Sequence, residues 1–286
     1  MHTLAVIVLN YNGADCLQAC LRSIVAQRLP EDIRLRIIVV DNASTDGSIA
    51  IARTDVPAAD IIINKRNVGF AAGNNIGIRY ALERGVDAVC LVNNDAILSP
   101  TTLTTLFRVA EERRGIVCPV ITTPQRTIWY AGARRHPYRM RITHRTRRIH
   151  PTRPYKTDSA TGCVMCIHKD VFATIGLLNE SFFLYYEDAD FSACAHSHNI
   201  FVGVAPMARA QHGERSTRAE HRDTKTYWLT LSGALYFLHH ARWYHKLWYK
   251  VFLPLRRFRA RRRRNHAVLR ALRDVRTART HYVSHC

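Results

Sequence analysis

Cys90-Leu91-Val92-Asn93-Asn94-Asp95-Ala96-Ile97-Leu98 joins a short apolar run to three polar side chains whose oxygens can meet a hard cation. One carboxylate among amides suits Mg²⁺ or Mn²⁺ held jointly with substrate phosphates, since such ions seldom receive a full protein cage. Buried strands with ends of this kind border the ligand crevice of open α/β sheets. The same residues also describe a capped turn, and on this stretch alone both readings stand. Two further polar strand ends bear on the choice, Asn10-Tyr11-Asn12 and Asp41. In a parallel sheet all three ends share one edge. There Tyr11 can stack on a base, and Asp41 can accept a hydrogen bond from a base imide or a ribose hydroxyl. A fourth group, Glu187-Asp188-Ala189-Asp190, opens a helix, where acids meet the positive end of the dipole. Such a trio either caps its helix or supplies a general base.

These side chains need a sheet to hold them. Leu4–Leu9, Leu35–Val40, Asp60–Ile63, Ala88–Val92 and Val117–Ile121 read as buried strands, with helices between them. Alternating strand and helix predicts an α/β fold with a mainly parallel twisted sheet covered by helices. Gly69, Gly73 and Gly77 allow close approach to a ligand or to the sheet. They do not match GxGxxG, and no Walker lysine is present, which weakens dinucleotide and P-loop readings. After residue 121 the rhythm breaks. Arg134 to Tyr155 is rich in Arg, His and Pro and reads as a mobile basic loop, either a solvated excursion or a flap over an anionic substrate. Ala160–Ile167 reads as a strand, Glu187–His198 as a helix, and Phe201–Val204 as a last short strand. Thr224–Phe252 reads as one amphipathic helical stretch, too polar to span a bilayer, with Arg261–Arg264 beyond it. Aromatics interleaved with cations suit a helix lying on an anionic membrane surface; a helix packed on the core with a solvated tail is the alternative.

The formal net charge of +20 over 286 residues calls for an anionic partner. Its cations concentrate in the loop and the tail. The apolar run after Met1 is too short for a signal peptide's apolar region, so the expected compartment is a reducing cytosol. Cys163 and Cys166 form a CxxC with no second pair, and their apolar neighbours make them look like core.

Together the segments Val6–Asn12, Val39–Ser48, Asn67–Gly77, Val92–Asp95 and Gly162–Asp190, above all Phe182-Phe183-Leu184-Tyr185-Tyr186-Glu187-Asp188-Ala189-Asp190, resemble the family 2 glycosyltransferases. Within that family the chain is most similar to the rhamnosyltransferase and galactofuranosyltransferase-like branch. The resemblance implies a GT-A fold over residues 1–215, with a nucleotide-binding half at 1–121 and an acceptor and catalytic half at 122–215, followed by a basic helical extension at 216–286. It implies inverting, metal-dependent transfer from a nucleoside diphosphate sugar to a glycan or lipid-linked acceptor. By motif position Leu9, Tyr11, Asp41, Asn67 and Asn94 serve the nucleotide, and Asp95 and His212 hold Mg²⁺ or Mn²⁺. Asp188 is the base, and Gly162, Glu187 and Asp190 support the acceptor side. The family's usual acidic pair before the metal aspartate is Asn93-Asn94 here, which lowers the expected metal affinity before donor arrives. By branch, dTDP-rhamnose is the first donor expected, and a UDP-hexose or UDP-galactofuranose the second. The expected location is the inner face of the cytoplasmic membrane. A basic nucleic-acid-binding protein is disfavoured because the Arg runs lack a recognised nucleic-acid fold. A non-catalytic partner of the same fold is disfavoured by the intact Asp95 and Asp188.

Overall fold

The computed structural model describes residues 1–148, 150–213, 219–280 and 282. The expected boundary at 215/216 lies outside the described residues. The first half alternates as its sequence dictates: β1 (His2–Asn10), α1 (Leu17–Val25), β2 (Ile33–Asp41), α2 (Ser48–Asp55), β3 (Asp60–Ile63), α3 (Phe70–Leu82) and β4 (Ala88–Asn93). Leu4 to Val8 are fully buried, as a strand covered on both faces requires. β1 pairs in parallel with β2 on one side and β4 on the other, and β3 extends the sheet beyond β2. The register sets Asn10 opposite Asp41 and Leu9 opposite Asn93. The polar strand ends thus fall on one edge. α3 lies close over this sheet because Gly77 carries no Cβ, which would stand 2.7 Å from Ile7 Cγ2 and 3.0 Å from Val40 Cγ2.

The second half departs from simple alternation. It comprises β5 (Ala96–Leu98), α4 (Thr102–Arg113), β6 (Ile116–Thr122), β7 (Ile128–Tyr130), β8 (Ala133–His136), β9 (Arg141–His144), β10 (Tyr155–Lys156), β11 (Val164–His168), α5 (Lys169–Ile175), α6 (Glu187–Ser197) and β12 (Val202–His212). β11 inserts antiparallel between β4 and β6, so the main path through the sheet runs β10-β12-β6-β11-β4-β1-β2-β3. The longest ladders, β1 with β2 and β6 with β12, are parallel.

Three sequence expectations need correction here. The stretch read as a mobile loop contains an antiparallel hairpin, β8 with β9, closed by a single 3-10 turn at Pro137–Arg139. Its arginines conceal the pattern: Arg134, Arg135 and Arg141 are exposed, while Ala133 and Met140 are buried. The strand expected at 201–204 runs on to His212, past an irregularity between Ala205 and Arg209 that breaks its alternation. The helix expected at 224–252 is two helices, α7 (Ala219–His239) and α8 (Trp243–Arg262), and α9 (His266–Thr280) follows. Buried Leu231, Leu235 and Phe237 of α7, Tyr249 of α8 and Ala271 of α9 form a second apolar cluster with Phe182 and Met140. No helix among the described residues is long and apolar enough to cross a membrane. Cys163 and Cys166 are buried free thiols.

Candidate active site

Asn10 is the hub of the strand-end edge. It is fully buried. Its Nδ2 donates to Asp41 Oδ1 at 2.9 Å and to Ser48 Oγ at 2.8 Å, while its Oδ1 accepts from Asn94 Nδ2 at 2.9 Å. Asp41 Oδ2 accepts from the Ser44 amide at 2.8 Å. Asp41, 1% exposed, and Asn94 therefore fasten three strand ends to each other. Here their hydrogen bonds go to the framework that shapes the edge. Asn67 behaves alike: its Oδ1 accepts from the Gly69 amide at 2.9 Å and from Asn42 Nδ2 at 3.2 Å. Leu9 is half-buried, with its Cδ1 close to Gly73. Tyr11 stands 49% exposed on the same edge, with its ring open for stacking.

Gly69 couples this half to the next. It adopts φ +90°, a conformation that costs an L-residue strain, and a Cβ there would stand 2.6 Å from the Phe183 carbonyl oxygen. That carbonyl accepts from the Phe70 amide at 2.7 Å. Gly69→Ala therefore meets both backbone strain and a backbone clash. The expected loss is about 1–3 kcal/mol of stability for the strained dihedral alone, read as a lowered Tm.

His212 reaches Asp95 through β-pairing. After the turn at Asn94 and Asp95, β5 pairs antiparallel with the end of β12, with Ala96 opposite His212. His212 Nε2 lies 3.2 Å from Asp95 Oδ1, and the Gly213 amide donates to the Asp95 carbonyl at 3.0 Å. His212 Nδ1 is buried without a hydrogen-bond partner among the described residues, and the Trp129 ring lies 4.7 Å from the imidazole. Among the described residues, no group of three or more His, Cys, Asp or Glu is arranged to hold a metal ion. A carboxylate with one imidazole fits a divalent ion that takes its remaining ligands from a diphosphate and water, not one held by protein alone.

Asp188 enters from α6. Tyr185 and Tyr186 precede that helix at φ 66° and 71°. Two consecutive non-glycine residues in the left-handed region are a concentration of backbone strain of the kind found at functional sites. The turn aims the first helical residues into the cleft. Asp188 Oδ2 accepts from the Gly162 amide at 2.9 Å and Oδ1 from the Ala189 amide at 2.7 Å. Its desolvated setting raises the carboxyl above its ordinary range, and the two amides oppose that rise. Burial pushes Glu187 well above the usual carboxylate range, with Asp188 beside it adding to the effect. Asp190 turns the other way. It is 2% exposed, and its Oδ1 accepts from His240 Nε2 and from the Tyr282 hydroxyl, both at 2.7 Å. Asp190 thus ties α6 to the C-terminal helices and does not line the cleft, a correction to the acceptor-side role expected for it.

α7 holds the rest of the Phe182–Tyr186 segment. Phe183 stacks on Trp228 with centroids 4.7 Å apart, and Ser232 Oγ donates to the Leu184 carbonyl at 2.8 Å. The C-terminal helices are therefore part of the site's scaffold as well as an extension from it.

Asp95, His212 and Asp188 line one cleft of ≈ 550 Å³, with Gly162 and Glu187 in its wall. One flank can seat a cation and a diphosphate. The other offers a carboxylate of raised basicity to an incoming hydroxyl. Phe70, Trp129, Lys225 and Leu229 also line the cleft, and none had a candidate role from sequence. Asn10 stood in the polar strand-end motif and was passed over as a site residue. Lys225 and Leu229 carried no signal, because nothing in a helix's own pattern says which cleft its face will close.

A family model described as Glycosyl transferase family 2 matches residues 5–176. Among curated proteins, the chain is 29% identical over 197 residues to a low-salt glycan biosynthesis hexosyltransferase of Haloferax volcanii, covering 62% of this chain and 58% of that protein. It is 25% identical over 188 residues to a dTDP-rhamnosyl transferase of Shigella flexneri, covering 64% of this chain and 62% of that one. The match thus spans about three fifths of each relative's length. Among solved structures, GalNAc-T7 with UDP, GalNAc and Mn²⁺ superposes with TM-score 0.63 at 14% identity, over 83% of this chain and 50% of that one. A mannosyltransferase of Pyrobaculum calidifontis with GDP-Man and Mn²⁺ gives 0.59 at 18% identity, over 84% and 65%. These two show a shared fold. The family match runs from β1 through the polar strand ends of β1, β2 and β4 to the close of α5, and on that ground the chain belongs to glycosyl transferase family 2.

Proposed function

We propose that this protein transfers a sugar from a nucleoside diphosphate sugar to a hydroxyl of a glycan or lipid-linked glycan, with inversion at the anomeric carbon. The observation that carries this reading is the meeting of Asp95, His212 and Asp188 in one cleft. In the proposed step the acceptor oxygen bonds to C1 as the bond from C1 to the diphosphate oxygen breaks. The Asp188 carboxylate takes the hydroxyl proton, and the nucleoside diphosphate carries away the bonding pair. Gly162 and Ala189 hold that carboxylate through their amides. Tyr11 stacks on the base, and the Asn10 network fixes the edge on which the nucleotide lies. Asp95 and His212 are the residues that would hold Mg²⁺ or Mn²⁺, which supplies Lewis-acid charge to the leaving diphosphate when bound.

The name of the Shigella flexneri relative makes dTDP-rhamnose the first donor to try; the branch resemblance adds UDP-hexoses and UDP-galactofuranose as the second. A thermal-shift panel of these donors, with and without Mn²⁺, tests the reading, because a ligand of the native state raises Tm. The account expects one donor to raise Tm with Mn²⁺ present and much less without it. Mn²⁺ alone should do little, since Asn93 and Asn94 bring no charge to the site. No shift with any donor would count against it.

We also place the protein peripherally on the inner face of the cytoplasmic membrane. α8 supports this reading: Trp243, Leu247, Val251, Leu255 and Phe258 form an exposed apolar line. Exposed Lys246, Lys250, Arg257 and Arg261 flank that line, as in helices that lie on anionic bilayers. Co-flotation with phosphatidylglycerol vesicles, and its absence with neutral ones, is the expected result.

A further inference from the structure

A second cavity of ≈ 410 Å³ opens beside the catalytic cleft, between the β8–β9 hairpin and α8. Arg139 and Arg141 enter it from the hairpin, and Arg256 and Arg259 from α8; among the described residues no acidic side chain lines it. Arg256 is half-buried and oriented by a hydrogen bond from its Nη2 to Thr230 Oγ1 at 3.2 Å. Burial pulls this guanidinium below the usual arginine range, with Tyr186 opposing the shift. A cation so placed, among three others and without a carboxylate, calls for an anion that is not part of the lining. Guanidinium groups converging on one space suit phosphate oxygens, which they meet with two parallel hydrogen bonds.

The other walls are apolar: Met140, Phe252 and Leu255. Leu255 also belongs to the exposed apolar line of α8, so the pocket is continuous with the surface read above as the membrane face. On its opposite side the pocket shares Ile142, Tyr186 and Leu229 with the catalytic cleft. Tyr186 stands two positions before Asp188. A ligand matching this sequence of surfaces has an apolar tail, an anionic middle and a polar end that reaches the base.

We propose that this pocket holds the diphosphate of a lipid-linked acceptor, whose tail leaves along α8 and whose sugar passes Tyr186 into the catalytic cleft. The proposal rests on the glycosyltransferase reading and names the acceptor class for it. It also gives Arg139 and Arg141 of the hairpin a purpose. They form a phosphate wall beside the acceptor side of the cleft, distinct from the nucleotide edge at β1, β2 and β4.

The test is isothermal titration of the full chain with farnesyl diphosphate in EDTA, with no sugar donor present, so that binding is read apart from catalysis. Saturable binding is expected, weakened about tenfold or more in Arg139→Gln and in Arg259→Gln, each of which removes one charge-assisted contact. Both side chains are exposed, so the variants should keep the wild-type Tm. Farnesol and inorganic pyrophosphate should each bind at least about tenfold more weakly than farnesyl diphosphate, since each lacks one of the two matched surfaces. A benzophenone-bearing farnesyl diphosphate should label residues 139–142 or 252–259. Equal binding by both variants, equal binding of pyrophosphate, or labelling confined to the ends of β1 and β4 would overturn the proposal. So would equally strong competition by phosphatidylglycerol vesicles, which would make the pocket a bilayer headgroup site. Asp188→Asn should bind farnesyl diphosphate like wild type. Failure of the catalytic reading and failure of the pocket are therefore separate results.

Discussion

Asp188→Asn should leave the fold intact and lower kcat for sugar transfer by about 10²–10⁴-fold, the range general-base assistance normally supplies. The amide keeps the side chain's size and one carbonyl oxygen to accept from Gly162 or Ala189, while its NH2 meets the other backbone donor. Tm should therefore fall modestly, reflecting the about 1–3 kcal/mol of one unsatisfied buried group, with the protein still folded. It cannot take a proton from the acceptor. Donor binding, read by the Mn²⁺-dependent thermal shift, should survive. The pH profile gives a second check. Because burial raises the Asp188 carboxyl, the wild-type acid limb of kcat/KM should lie above the usual carboxylate range, with activity lost as pH falls through it. The residual rate of the variant should lack that limb. Transfer at near wild-type rate by a folded Asp188→Asn protein would remove the mechanism.

Asp95→Ala should act elsewhere in the same cleft and fail differently. His212 would lose the carboxylate that stands 3.2 Å from its Nε2, and the proposed cation site would keep only its imidazole. The expected result is a roughly 10²-fold or greater fall in kcat/KM, consistent with the several kcal/mol that a Lewis acid contributes at a leaving group. The Mn²⁺-dependent part of the donor thermal shift should vanish, and raising Mn²⁺ should restore activity only in part. Steady-state kinetics across a Mn²⁺ titration separates this from Asp188→Asn, which no concentration of metal should rescue.

The first half of the chain was legible in the sequence because buried parallel strands read as unbroken apolar runs. Leu4–Leu9 and Ala88–Val92 gave their positions within a residue or two, and the polar residues after them marked the ligand edge. What sequence could not supply was the direction of each side chain within that edge. Asp41 and Asn67 look like ligand contacts by motif, yet bond to Asn10, Ser44, Asn42 and Gly69. The second half was harder to read for different reasons. The β8–β9 hairpin hides under its arginines. The irregular stretch around Pro206 conceals the length of β12 and with it the pairing that carries His212 to Asp95. The clamp from Asp190 to His240 and Tyr282 joins residues 50 and 92 positions apart, beyond the reach of any local pattern.

In the proposed reaction the cation and the leaving diphosphate lie at Asp95 and His212, and Asp188 lines the same cleft. Anomalous scattering at the manganese edge, from crystals grown with Mn²⁺ and dTDP or UDP, measures this directly. The account predicts a single strong peak within bonding distance of Asp95 and His212 and of diphosphate oxygens, with the Asp188 carboxylate free of metal. A peak coordinated by Asp188, or one outside this cleft with nucleotide bound, would contradict it.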